Sequence, residues 1–114
     1  VKVGFYLLQT PKMSTNLVMT TWYKQGVIGD LQQPARKGLG RVARLLSSRN
    51  EDLFITSLRD GNHSSGSLHY DGLAFDMRYP QLTSIKQIKE KLGPKWDVVV
   101  ESNHIHCEYD PKNV

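Results

Sequence analysis

The stretch WDVVVESNHIHCEY, residues 96–109, constrains the fold more than any other part of the chain. Two short runs of apolar and β-branched residues flank Ser102 and Asn103, which suit a two-residue hairpin loop. In such a hairpin Glu101 and His104 lie directly opposite each other, with Cβ atoms about 5 Å apart. His106, two residues on, shares their face, because side chains alternate along a strand. Val100, Ile105 and Cys107 turn to the other face, toward a core. The chain is therefore expected to build a sheet with one apolar side and to gather Glu101, His104 and His106 on the other. Cys107 is expected to be a packed apolar thiol, not a ligand.

The length of 114 residues fits a single domain spanning 1–114. Apolar content of 39% and charged content of 23% suit a globular chain and argue against a disordered one. A single cysteine excludes an intrachain disulfide, so stability must come from packing or a metal. No apolar run approaches the ~20 residues that span a bilayer, and no charged-then-apolar leader is visible. The net charge of +4 suits an anionic partner such as nucleic acid or the phosphate polymers of a bacterial wall. That charge is spread, and its mild concentration in ARKGLGRVAR reads as a solvated helix face.

Residues 1–9 are apolar enough for a first strand or a packed arm, while TTWYKQGVIGD is ambiguous. PARKGLGRVARLLSSRN predicts a helix: Pro34 suits a first turn, and Leu39, Val42, Leu45 and Leu46 keep helical spacing, although Gly38 and Gly40 weaken it. DLFITSL predicts a strand, RDGNHSSGS a loop, GLAFDMR a strand and TSIKQIKEKLG a helix with a Ser/Thr start and a Gly stop. The order is helix first, then strands with one helix between them. The class is α+β with a mainly antiparallel sheet.

All four histidines fall in two places, GNHSSGSLHYDGLAFDMR and the hairpin. In the strand LAFDMR, Leu73, Phe75 and Met77 point to a core, and Ala74, Asp76 and Arg78 point the other way. The small Ala74 leaves space beside Asp76 for a ligand, although a solvated strand face produces the same alternation. Asp71-Gly72 reads as a turn that lets His69 swing back beside Asp76. Two histidines and one aspartate with an open position form the ligand set of a catalytic zinc, and a nearby Glu is the usual general base. The six residues between His69 and Asp76 argue against a non-haem iron site. Surface or hydrogen-bonded histidines remain the alternative.

SLHYDGLAFD, residues 67–76, fits the pattern SxHxxGxAxD, and ESNHIH carries a terminal HxH with an upstream Glu. This resembles the Hedgehog/D-Ala-D-Ala metallopeptidase superfamily, which includes D-alanyl-D-alanine carboxypeptidases, D-Ala-D-Ala dipeptidases and phage L-alanyl-D-glutamate endolysins. The resemblance covers residues 53–110. It implies an α+β Hedgehog/DD-peptidase fold with N-terminal helices and one further helix, Zn2+ as cofactor, and His69, Asp76 and His106 as its ligands. It also implies Glu101 as general base, His104 polarising the scissile carbonyl, and His63 as a second electrostatic helper. Ser67 would orient the first ligand or line the site, and Arg59 would grip a substrate carboxylate.

Two departures bear on these roles. Glu101 stands five residues before His106 but three before His104, so the last ligand could shift to His104. Around TSLRDGN, Asp60 is the only acid, so the calcium-binding acids of Hedgehog signalling domains are mostly missing. The resemblance implies a monomeric peptidase acting on peptidoglycan stems or cross-bridges, with no nucleic-acid partner and no membrane span. The rival readings are a non-catalytic zinc module and a nuclease suggested by the basic charge and GNH.

Overall fold

The computed structural model describes residues 5–7, 19–27, 29–60 and 67–113. The elements run β1 (Phe5–Leu7), β2 (Thr21–Lys24), α1 (Gln33–Ser48), β3 (Leu53–Ser57), β4 (Ala74–Met77), α2 (Ile85–Leu92), β5 (Trp96–Val100) and β6 (Ile105–Tyr109), with a 3-10 turn at Pro111–Asn113. The strands form one sheet in the order β1-β2-β3-β4-β6-β5. The class is α+β, and the sheet is mixed. The β2–β3 pair is parallel and the other four pairings are antiparallel.

The expected start on a helix is corrected. Two strands precede α1, and among the described residues α1 is the one helix of the N-terminal half. β2 lies inside the ambiguous TTWYKQGVIGD, where Thr21, Trp22 and Tyr23 supply β-forming side chains. Its pairing is set from far along the chain. Asp52 accepts from the Thr20 N–H at 2.9 Å and from Trp22 Nε1 at 3.2 Å, which lays β2 alongside β3.

Both helices pack on one face of the sheet. α1 turns Ala35, Gly38, Leu39, Val42 and Leu46 inward at helical spacing. Gly38, which weakens the helix by propensity, is required by packing: a Cβ there would lie 2.1 Å from Cζ2 of Trp96. α2 opens on a capping box, with Ser84 accepting from the Gln87 N–H and Gln87 answering the Ser84 N–H. It buries Ile88 and Leu92 and stops at Gly93. From the sheet, Leu53, Ile55, Phe75, Met77, Ile105 and Cys107 complete the core, each at most 1% exposed. Burying a side chain of this size contributes about 1.5–3 kcal/mol. Cys107 lies in this layer, and burial pushes its thiol well above the usual range, as a packed apolar thiol requires.

The hairpin has the expected register. Val100 pairs with Ile105, and the Glu101 N–H donates to the His104 carbonyl at 2.9 Å across the Ser102-Asn103 loop. On β4, Phe75 and Met77 face the core, but Ala74 and Asp76 on the other face are also buried, at 0% and 6% exposure. The solvated-face alternative for Asp76 is therefore excluded.

Candidate metal centre

Three segments meet on the outer face of the sheet, opposite the helices. Asp76 stands in β4, between β3 and β6, and pairs directly with His106 of β6. His69 comes from the turn before β4. That turn is closed by the Gly72 N–H donating to the His69 carbonyl at 3.0 Å and the Leu73 N–H donating to the Leu68 carbonyl at 3.0 Å. Gly72 has φ of 71°, and a Cβ there would lie 2.8 Å from the Asp30 carbonyl oxygen, so the turn needs glycine on both counts. Ser67 Oγ accepts from the His69 N–H at 3.2 Å and braces the same turn.

His69 Nε2 lies 2.9 Å from Asp76 Oδ1 and 3.0 Å from His106 Nδ1, and His106 Nδ1 lies 3.0 Å from the same Asp76 oxygen. The remaining ring nitrogens fix the tautomers. His69 Nδ1 is 2.5 Å from the Leu58 carbonyl oxygen, and His106 Nε2 is 2.6 Å from Glu108 Oε1. Both partners are acceptors only, so those two nitrogens carry the protons. His69 Nε2 and His106 Nδ1 are left as lone-pair donors facing one carboxylate oxygen. Three acceptor atoms converging at 3 Å need a cation or an extra proton among them. A tetrahedral ion with bonds of about 2.0–2.1 Å requires ligand atoms about 3.3 Å apart, within a few tenths of an ångström of this triangle. His69, Asp76 and His106 could hold a metal ion, and two imidazoles with one carboxylate suit several first-row metals.

In the metal-free protein the extra proton has a clear home. Burial pushes His106 down, but its hydrogen bonds to Asp76 and Glu108 and their charges outweigh this and hold its pKa at about 9. Burial pushes Asp76 up, yet the hydrogen bonds from His106 and His69, with the charges of His69 and His104, hold it well below the usual carboxylate range.

The other candidates are placed unequally. His104 Nε2 stands 3.6 Å from Asp76 Oδ2, while its Nδ1 is 2.7 Å from Asn103 Oδ1, so it borders the cluster without joining the triangle. Glu101 is exposed at the end of the hairpin, on the histidine face. Among the described residues, no hydrogen bond or ion pair ties its carboxylate to the histidines. Arg59 Nη2 donates to the Tyr70 carbonyl at 3.1 Å, and its stem lies over Gly29, where a Cβ would approach Arg59 Cγ to 2.7 Å. The structure thus places Arg59 against the turn that carries His69, outside the triangle. His63 lies outside the described residues. Two participants escape the sequence reading. Glu108 shares the outer-face parity of His104 and His106, a weak signal, and the Leu58 carbonyl gives none.

No protein family, curated protein or solved structure matches the chain.

Proposed function

We propose that the chain is a zinc metallopeptidase that hydrolyses peptide bonds of bacterial peptidoglycan, of the kind found in the Hedgehog/D-Ala-D-Ala metallopeptidase superfamily. The observation that carries this is the triangle of His69 Nε2, Asp76 Oδ1 and His106 Nδ1, with both ring tautomers set to present lone pairs inward. Three ligands leave the fourth tetrahedral position open, the arrangement of catalytic sites as against closed structural ones. A zinc held by His69, Asp76 and His106 would supply a Lewis acid that polarises a carbonyl and activates water near neutral pH. The chain's own groups do the rest. Glu101, on the histidine face, takes the proton from the attacking water and passes it to the leaving amine. His104, whose Nδ1 proton goes to Asn103 Oδ1, stabilises the developing oxyanion from Nε2 as an imidazolium. The bound carboxylate of Asp76 stays ionised. The SxHxxGxAxD and HxH patterns of the sequence supply the substrate class.

Incubation of peptidoglycan with the protein, with and without chelator, followed by mass spectrometry of the released muropeptides, tests the reading. Chelator-sensitive release of stem or cross-bridge peptides is expected. A second reading, a non-catalytic zinc-binding interaction module, is favoured by the exposure of Glu101. A zinc-loaded protein that releases nothing from any wall type at several pH values would make it the better one.

A further inference from the structure

We propose that Glu108 is the residue that positions His106 for the metal, and that its negative charge sets how tightly the centre holds a divalent cation. This rests on the reading of His69, Asp76 and His106 as metal ligands, and not on peptidase activity. Glu108 is two residues beyond His106 on β6, on the same face, and its Oε1 is 2.6 Å from His106 Nε2. An imidazole offers a lone pair at one nitrogen only while the other carries the proton. The carboxylate therefore assigns the lone pair to Nδ1, the atom 3.0 Å from Asp76 Oδ1. Leu58 does the same for His69, but with a neutral carbonyl. Glu108 brings a full charge, which strengthens the hydrogen bond and makes His106 the more basic ligand.

The placement of Glu108 is an independent observation. Across the sheet it sits directly opposite Asp97 of β5, an arrangement of like charges that destabilises an antiparallel pair. A position that breaks a local rule is where a functional requirement is expected. On its other side it pairs with Ala74, whose short, fully buried side chain leaves the glutamate room to lie along the sheet toward His106.

The experiment compares the parent with E108Q, E108A and D97N. Zinc affinity is read by competition with a chromophoric chelator, and the visible absorption of the cobalt(II)-loaded proteins reports ligand geometry. E108Q is nearly isosteric and keeps an acceptor oxygen, so it isolates the charge, while E108A removes both. E108A should bind zinc about 10- to 100-fold more weakly, with shifted cobalt bands. E108Q should lose affinity measurably while its cobalt bands stay in place. D97N, which removes an acid of the same sign one strand away, should stay within about twofold of the parent. Parent-like affinity in both Glu108 variants overturns the proposal, and parent-like affinity in E108Q alone overturns its charge component. Equal loss in D97N and E108Q overturns it as well, because any nearby acid would then suffice. A parent that binds neither ion sinks the metal reading itself, which is distinguishable from all of these.

Discussion

The fall in folding stability with rising pH should vanish when the metal is added. In the metal-free protein His106 is held between Asp76 and Glu108 with its pKa raised to about 9, whereas the unfolded chain titrates near 6.5. A group whose folded pKa is raised stabilises the fold fully below its unfolded value and stops doing so as pH rises through the folded one. The contribution is therefore whole at pH 6 and disappears between about 6.5 and 9. The difference of about 2.5 units corresponds to ~3 kcal/mol, and the partial exposure of the His106 and Glu108 side chains, 16% and 22%, reduces this to about 2 kcal/mol. The depressed Asp76 is the same contact seen from its other partner and is not added again. Its own signature lies at the acid end, where support is lost as pH falls below the ordinary carboxylate value. Zinc cancels this fall. To bind, His106 must release its Nδ1 proton, so apparent zinc affinity, and the stabilisation that follows from it, rise with pH until about 9. Urea denaturation from pH 6 to 9.5, in chelator and in excess zinc, measures both curves. The metal-free curve should fall by about 2 kcal/mol while the zinc curve does not fall. His106→Ala should flatten the first and remove the zinc effect. Metal-free stability that is flat or rising over this range, or equal slopes with and without zinc, would refute the reasoning.

Three further outcomes are expected. The parent should hold about one zinc per chain by metal analysis, His69→Ala, Asp76→Ala and His106→Ala should each lose it, and His104→Ala should keep it; the reverse for His104 and His106 would show the last ligand to be misassigned. Glu101→Gln should keep its zinc and melt within a few degrees of the parent, yet cleave wall peptide at least roughly 100-fold more slowly. Undiminished cleavage would place the base elsewhere. Glu51 accepts from the Gln81 and Leu82 N–H groups at 2.8 and 3.0 Å and from Thr83 Oγ1 at 2.6 Å, so Glu51→Ala should cost about 2 kcal/mol in chemical denaturation without changing zinc affinity.

Much of the centre is legible in the sequence because it rests on short-range geometry. Alternation and a two-residue loop suffice to put His104 and His106 on one face and Cys107 on the other. Asp71-Gly72 announces the turn that returns His69 to Asp76. What is not legible depends on contacts distant in sequence. The burial of Asp76 comes from its place in a central strand, flanked by β3 and β6. β2 owes its register to Asp52 and to parallel pairing with β3, about thirty residues away. Gly38 looks like a helix defect until Trp96 is seen against it. Arg59, suited by type to grip a carboxylate, is directed instead to the Tyr70 carbonyl.

The pairing of β3 with β4 contains an irregularity: Ile55 faces Met77, but Ser57 faces Asp76, so β3 advances two residues while β4 advances one. The bulge reverses the parity of the strand. Before it, odd-numbered residues point into the core; after it, Ser57 is buried on the Asp76 side and Leu58 joins the core, and the Leu58 carbonyl reaches His69 Nδ1. The bulge is the slack in this segment: deleting Thr56 would make the ladder regular while leaving Ser57 opposite Asp76 and Leu58 on the core side. A residue inserted between Ser57 and Leu58 meets no such slack, because it would turn Leu58 out of the core or take its carbonyl away from His69 Nδ1.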